Sequence, residues 1–204
     1  MDLSALGPYV GYGTVHEPRA AGHAQALGRL GAPMHFLTPA ECRAACEGVV
    51  PLTAEGTPSR PSATKRYVRG PLAPDIAFCR RLEQALQPRD ACLLWVTDWG
   101  IWRSSENLHL YYRLRQSYGD QRMLTDAPGH YFHDYEAADL ISFLQIAILN
   151  GWDAHLLPVS GYARAFVSHD EYVDFVSNDA TQDIATAFAA ELGGAQIVTD
   201  STAA

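Results

Sequence analysis

"YFHDYEAADLISFLQIAILNGWDAHLLPVSGYARAFVSHDEYVDFVS", residues 131 to 177, decides how this chain folds. Asp134 is a good helix N-cap and Asn150-Gly151 a good stop, so a helix is expected over about 135 to 150. Between 140 and 149 it is apolar on nearly every side, which requires burial on most of them. Three short runs follow, at 153 to 159, 162 to 168 and 171 to 177, and they read as strands. The short "SHDE" between the last two predicts a hairpin, with Phe166, Val173 and Phe175 on packing faces. The sheet is the natural cover for the apolar helix. Together these elements predict an α+β fold: a mostly antiparallel sheet packed with a buried central helix and flanking helices.

Working outward, "GHYFHDY" (129 to 135) reads as a strand entering that helix. "ACLLWVT" (91 to 97) reads as a buried strand, with Leu93, Trp95 and Thr97 on one side and Leu94 and Val96 on the other. A helix is expected over about 74 to 87, where Ile76, Cys79, Leu82 and Leu86 share a face and Pro88 ends it. "SSENLHLYYRLRQSYG" (104 to 119) predicts a helix with Leu108, Tyr111, Tyr112 and Arg115 on one face, although Leu108, Leu110 and Tyr112 also alternate as a strand would. In "TPAECRAACEG", Thr38 caps, Pro39 fits the first position, Glu41 completes a capping box and Gly48 stops the helix. Residues 51 to 74 hold five prolines and read as a loop or linker. Short strands or turns are expected around 9 to 15, a short helix at 18 to 30, a last helix in "ATQDIATAFAAELGG" and a frayed tail from about 197. The 204 residues suit a single domain.

Net charge is −8, but unevenly distributed: residues 1 to 90 carry +2 and residues 91 to 204 carry −10. Past residue 119 there are thirteen acids and two bases, Arg122 and Arg164. Such a half repels nucleic acid and membrane surfaces and attracts basic partners. The longest apolar run, 140 to 149, is too short to span a bilayer, and the N-terminus lacks the pattern of a signal peptide. Cys42, Cys46, Cys79 and Cys92 have no zinc-site spacing and read as buried free thiols, which suits a reducing, cytoplasmic setting.

The candidate chemistry lies in two His-Asp pairs, His130/His133-Asp134 and His169-Asp170. Imidazole and carboxylate together can hold a divalent ion or transfer a proton, as a metal- or acid/base-dependent hydrolase would require. Against this, His130 and His133 are three apart and point to opposite faces of a strand. Asp134 is explained by capping, and His169, Asp170 and Glu171 by a turn. No G-x-S-x-G elbow, P-loop or dinucleotide motif is present. Cys92 lies in an apolar run, where a thiol is inert. No cofactor is expected.

The remaining signal is aromatic residues beside acids. Trp99 and Trp102 follow the 91 to 97 strand in a Gly-containing turn, where tryptophans act as core plugs or interface anchors. Over about residues 90 to 178, "WVTDWGIW…SSENLHLYY" and "GYARAFVSHDEY" resemble in overall character the small acidic immunity proteins that bacteria make beside secreted toxins, and also uncharacterised bacterial domains. The resemblance implies a mode of action, occlusion of a basic partner, and assigns no individual residue. The expectation is therefore a non-catalytic, immunity-type inhibitor, monomer or homodimer. Its carboxylates would be Asp126, Asp134, Glu136, Asp139, Asp170, Glu171 and Asp174. Its aromatic anchors would be Trp99, Trp102, Tyr112, Tyr131 and Trp152. The rival is the hydrolase built on His130, His133, Asp134, His169 and Asp170.

Overall fold

A computed structural model describes residues 35–59, 66–69, 76–86, 88, 90–100, 108–159, 163–177, 184–192 and 196–199. All of them belong to one compact unit, Ala32–Ala204. The strands expected at 9 to 15 and the helix at 18 to 30 lie outside the described residues.

The described strands are β1 (His35–Leu37), β2 (Arg66–Arg69), β3 (Ala91–Asp98), β4 (Gly129–His133), β5 (Asp153–Pro158), β6 (Ala163–Ser168), β7 (Tyr172–Ser177) and β8 (Gln196–Thr199). They form one eight-stranded sheet in the order β1-β4-β3-β5-β6-β7-β2-β8, antiparallel throughout. The described helices are α1 (Pro39–Cys46), α2 (Ile76–Leu86), α3 (Leu108–Ser117), α4 (Ala137–Leu149) and α5 (Ile184–Glu191). The expected α+β fold is present.

Register sorts the side chains into two faces, because partners across an antiparallel ladder share a side. Phe36, Phe132, Cys92, Leu94, Val96, Leu156, Ala165, Val173 and Phe175 belong to the main core with residues of α2, α4 and α5. α4 buries Leu140, Phe143, Leu144 and Ala147 there. Phe188 of α5 bridges Phe78 of α2 and Phe175 of β7, with centroids 5.5 and 5.1 Å away. The opposite face carries Leu93, Trp95, His155 and Phe166, and these are buried too. β3 therefore separates Trp95 from Leu94 and Val96 as its alternation requires.

α1 lies over part of that second face. A Cβ on Gly129 would fall 2.3 Å from Cys42 Sγ and 3.0 Å from Leu37 Cβ, so glycine alone lets the helix sit down on β4. Gly129→Ala should cost ~1–3 kcal/mol by overpacking. Urea denaturation measures this, and adding Cys42→Ala should recover part of the loss. An unchanged midpoint for Gly129→Ala would show that α1 does not pack there.

Local signals placed most boundaries. The Thr38/Glu41 capping box forms as read. α4 stops at Asn150-Gly151, with Gly151 at φ 62° and Trp152 N–H closing on Ala147 O. The β6–β7 hairpin is present. Phe166, Val173 and Phe175 are all buried, as expected, with Phe166 on the face opposite the other two. Four readings change. Arg66–Arg69, expected as loop, forms β2, and Gln196–Thr199, expected as frayed, forms β8; each pairs with the other. The buried face of α2 runs through Phe78, and Ile76 is exposed. Asp134 opens a 3-10 turn (Asp134–Glu136) ahead of α4, and Glu136, not Asp134, accepts the His133 backbone N–H at 2.8 Å.

Candidate functional site

The two His-Asp pairs do not meet. His133 pairs with Ala91 at the start of β3, whereas His169 is held by Asp153, whose partner Asp98 ends β3. An eight-residue strand puts roughly 20 Å between those ends. Among the described residues no group of three His, Cys, Asp or Glu is placed to hold a metal ion. The hydrolase constellation of His130, His133, Asp134, His169 and Asp170 is thus scattered. Register, invisible in the sequence, scatters it.

His130 instead belongs to a buried relay on the core face. Arg115 donates from Nη1 to Tyr111 Oη at 2.6 Å, and Tyr111 Oη lies 2.8 Å from His130 Nε2. His130 Nδ1 lies 3.2 Å from Leu94 O, which can only accept, so Nδ1 carries the proton and Nε2 accepts from tyrosine. Arg115 also stacks its guanidinium 4.3 Å from the Phe36 ring centroid and donates to Asp120 at 3.2 Å. Asp120 in turn clamps Arg122, which donates to Phe36 O at 2.7 Å. Burial, with Arg115 nearby, lowers His130 to about 3, and burial holds the Tyr111 phenol far above its usual value. Tyr111, Arg115 and His130 are all sealed from solvent, so the relay ties α3 to β4 and β3 and cannot meet a substrate.

The four cysteines are free and buried, as read. Burial raises Cys46 to about 11 and Cys92 to about 12, so both stay protonated thiols at neutral pH.

Water-facing chemistry collects at the end of the sheet where β3 stops, β5 starts and β6 turns into β7. A bulge between Val96 and Asp98 swings Asp98 opposite Asp153. Asp153 Oδ1 accepts both the backbone N–H and Nδ1–H of His169, each at 2.8 Å. The imidazole is therefore fixed with Nε2 3.6 Å from Asp170 Oδ1. The turn is built by Glu171 N–H on Ser168 O and by Asp170 N–H on Ser168 Oγ. Glu171 sits at φ 63°, a left-handed conformation that costs a non-glycine residue ~1–2 kcal/mol. Asp98, Asp170 and Glu171 are exposed, and among the described residues no Lys or Arg forms a salt bridge with them.

The other expected binding residues disperse. Glu136 is buried as a cap, and Asp139 accepts the Tyr118 hydroxyl. Asp174 is buried on the second sheet face. Asp134 is exposed at the opposite end, and Asp126 is exposed near Arg122. Trp152 is a core residue, edge-on to Tyr111 at 5.2 Å, and Tyr131 is buried. Tyr112 packs on the core and accepts Leu124 N–H at 3.1 Å. Trp99 packs partly on the core beside Asp98, and Trp102 lies outside the described residues. Asp98 and Asp153 were missed because each ends or begins a strand as an unremarkable turn acid; the one available signal was their position against Gly100 and Gly151.

No protein-family model matches this chain, and neither a curated protein nor a solved structure matches it significantly. Among the described residues no helix is long and apolar enough to cross a membrane.

Proposed function

We propose that this chain is a non-catalytic binding domain that accepts a cationic protein segment at the β3/β5/β6–β7 end of its sheet. The observation that carries the reading is the set of exposed carboxylates of Asp98, Asp170 and Glu171 around the Asp153–His169 pair, with no salt bridge to an arginine or lysine among the described residues. An exposed carboxylate can accept charge-assisted hydrogen bonds from a partner's guanidinium. Keeping glutamate at a left-handed position that glycine would occupy without strain fits selection for the charge. The partner implied by the sequence resemblance is a secreted bacterial toxin. Four buried free thiols suit action in a reducing cytoplasm.

Nona-arginine is a workable probe. Resonances of residues 97 to 100 and 168 to 172 should shift on titration, and Asp98→Asn/Asp170→Asn/Glu171→Gln should weaken binding about tenfold or more, with a shallower salt dependence. Shifts spread over the whole molecule, or an unchanged affinity in the triple variant, would remove the proposal. One observation favours a second reading, acid/base chemistry: a histidine braced on Nδ1 by a mostly buried carboxylate has the orientation of a general base. His169→Gln separates the two, abolishing any hydrolysis while leaving nona-arginine binding in place.

A further inference from the structure

The acidic end of the sheet carries its own titratable base. The His169 ring lies between two carboxylates, with Nδ1 2.8 Å from Asp153 Oδ1 and Nε2 3.6 Å from Asp170 Oδ1. Asp153 Oδ1 also accepts the His169 backbone N–H at 2.8 Å, so one atom holds both ring and backbone. An ionised carboxylate only accepts, so Nδ1 bears the proton of the neutral ring. A second proton therefore goes to Nε2, on the Asp170 side. The histidine side chain is 27% exposed and that of Asp170 67%, so the proton comes directly from water. The charged surroundings are mostly negative. Asp98 of β3 stands opposite Asp153, and Glu171 follows Asp170 in the turn. His155, two residues along β5, is buried against Phe166 with centroids 4.7 Å apart. Beyond the turn, Tyr172 of β7 stands opposite Arg69 of β2 in register. Between pH 5 and 8 an imidazole changes charge, while ordinary carboxylates and arginine do not. Protonation of His169 in that range places a cation inside the fold, between Asp153 and Asp170.

We propose that His169 makes the acidic end proton-sensitive: its imidazolium pairs with Asp153 and Asp170 and competes with the cationic segment, which is held at neutral pH and released on acidification. This rests on the reading of that end as a cation-binding surface. The sign follows from linkage. Proton and partner draw on the same carboxylates, so each weakens the other by the same factor. Affinity for the segment therefore falls as pH drops through the histidine range.

Nona-arginine is the probe, because its guanidinium groups keep their charge throughout this range. Its affinity for the full chain, measured by calorimetry at constant ionic strength, should be about fivefold weaker at pH 5.5 than at pH 8. That is the scale of one unit charge acting over several ångströms in largely aqueous surroundings. At pH 6.5, titrations in buffers of different ionisation enthalpy should show a fraction of a proton released per peptide bound. His169→Gln, which cannot take up the proton, should bind equally at pH 5.5 and pH 8 and release none. Equal wild-type affinity at the two pH values, no proton release, or the same pH dependence in His169→Gln overturns the proposal and leaves the binding surface standing. No binding at any pH, or undiminished binding in Asp98→Asn/Asp170→Asn/Glu171→Gln, removes the surface itself and the proposal with it.

Discussion

Asp120→Ala will destabilise this protein by ~3–5 kcal/mol, because it strands the Arg115 guanidinium inside the core without its carboxylate. Arg115 is fully buried, and among the described residues its guanidinium otherwise meets a hydroxyl and two aromatic rings, none of which carries a full negative charge. The same substitution releases Arg122 from the clamp that holds it on the Phe36 carbonyl. Urea denaturation should show a lower midpoint at nearly constant slope. The diagnostic measurement is the double-mutant cycle with Arg115→Met. Once the cation is gone, Asp120→Ala should cost far less, because the two residues act as a unit. Additive losses, or a single-mutant effect below about 1 kcal/mol, would refute the claim that the buried charge governs this region. Burial pushes the Asp120 carboxyl up, but the hydrogen bonds of Arg122 and the charges of Arg115 and Arg122 outweigh it and hold the pKa below its ordinary value. Its contribution is therefore complete above the ordinary carboxylate range and is lost as pH falls through the depressed folded value.

The second large effect is on pH dependence. His130 is held neutral, with its folded pKa lowered from 6.5 to about 3 by burial and by Arg115. Above pH 6.5 neither the folded nor the unfolded chain is protonated there, and the group contributes nothing to the slope. As pH drops below 6.5 the unfolded chain takes up a proton that the folded chain refuses. Stability then falls by about 1.4 kcal/mol per pH unit until the folded value is reached. Between pH 7 and pH 4 this amounts to ~3 kcal/mol. In His130→Gln, which cannot titrate and still offers Tyr111 an acceptor, the stability curve should be flatter over the same interval. Denaturation curves at pH 7, 6, 5 and 4 for both proteins give the comparison, and parallel curves would rule out His130 as the source of the acid sensitivity.

These two effects involve residues that the sequence made visible without showing their roles. Tyr111 and Arg115 share a helix face in the sequence, but nothing local says that the arginine is buried or that Asp120 turns back to meet it. In the sequence His130 reads as a possible metal ligand. Its strand parity was correct, and the parity is what separates it from His133. The acidic end shows the same division. "SHDE" announced a tight turn between two strands, while Asp153, which fixes His169, sits sixteen residues earlier in the chain. Asp98 joins it through a strand pairing and a bulge.

Local patterning alone determined the long apolar helix, its stop, the capping box of α1, the buried strand β3 and the β6–β7 hairpin, since periodicity, caps and turn residues act between near neighbours in the chain. The tertiary structure decided the rest. The four-residue strands β2 and β8 exist because they pair with each other, and β2 also with β7. Which carboxylates face water, and which arginines find a partner, depends on strand order and register. Those are set by contacts between distant segments that must first close long loops, and a window of neighbouring residues carries no record of them.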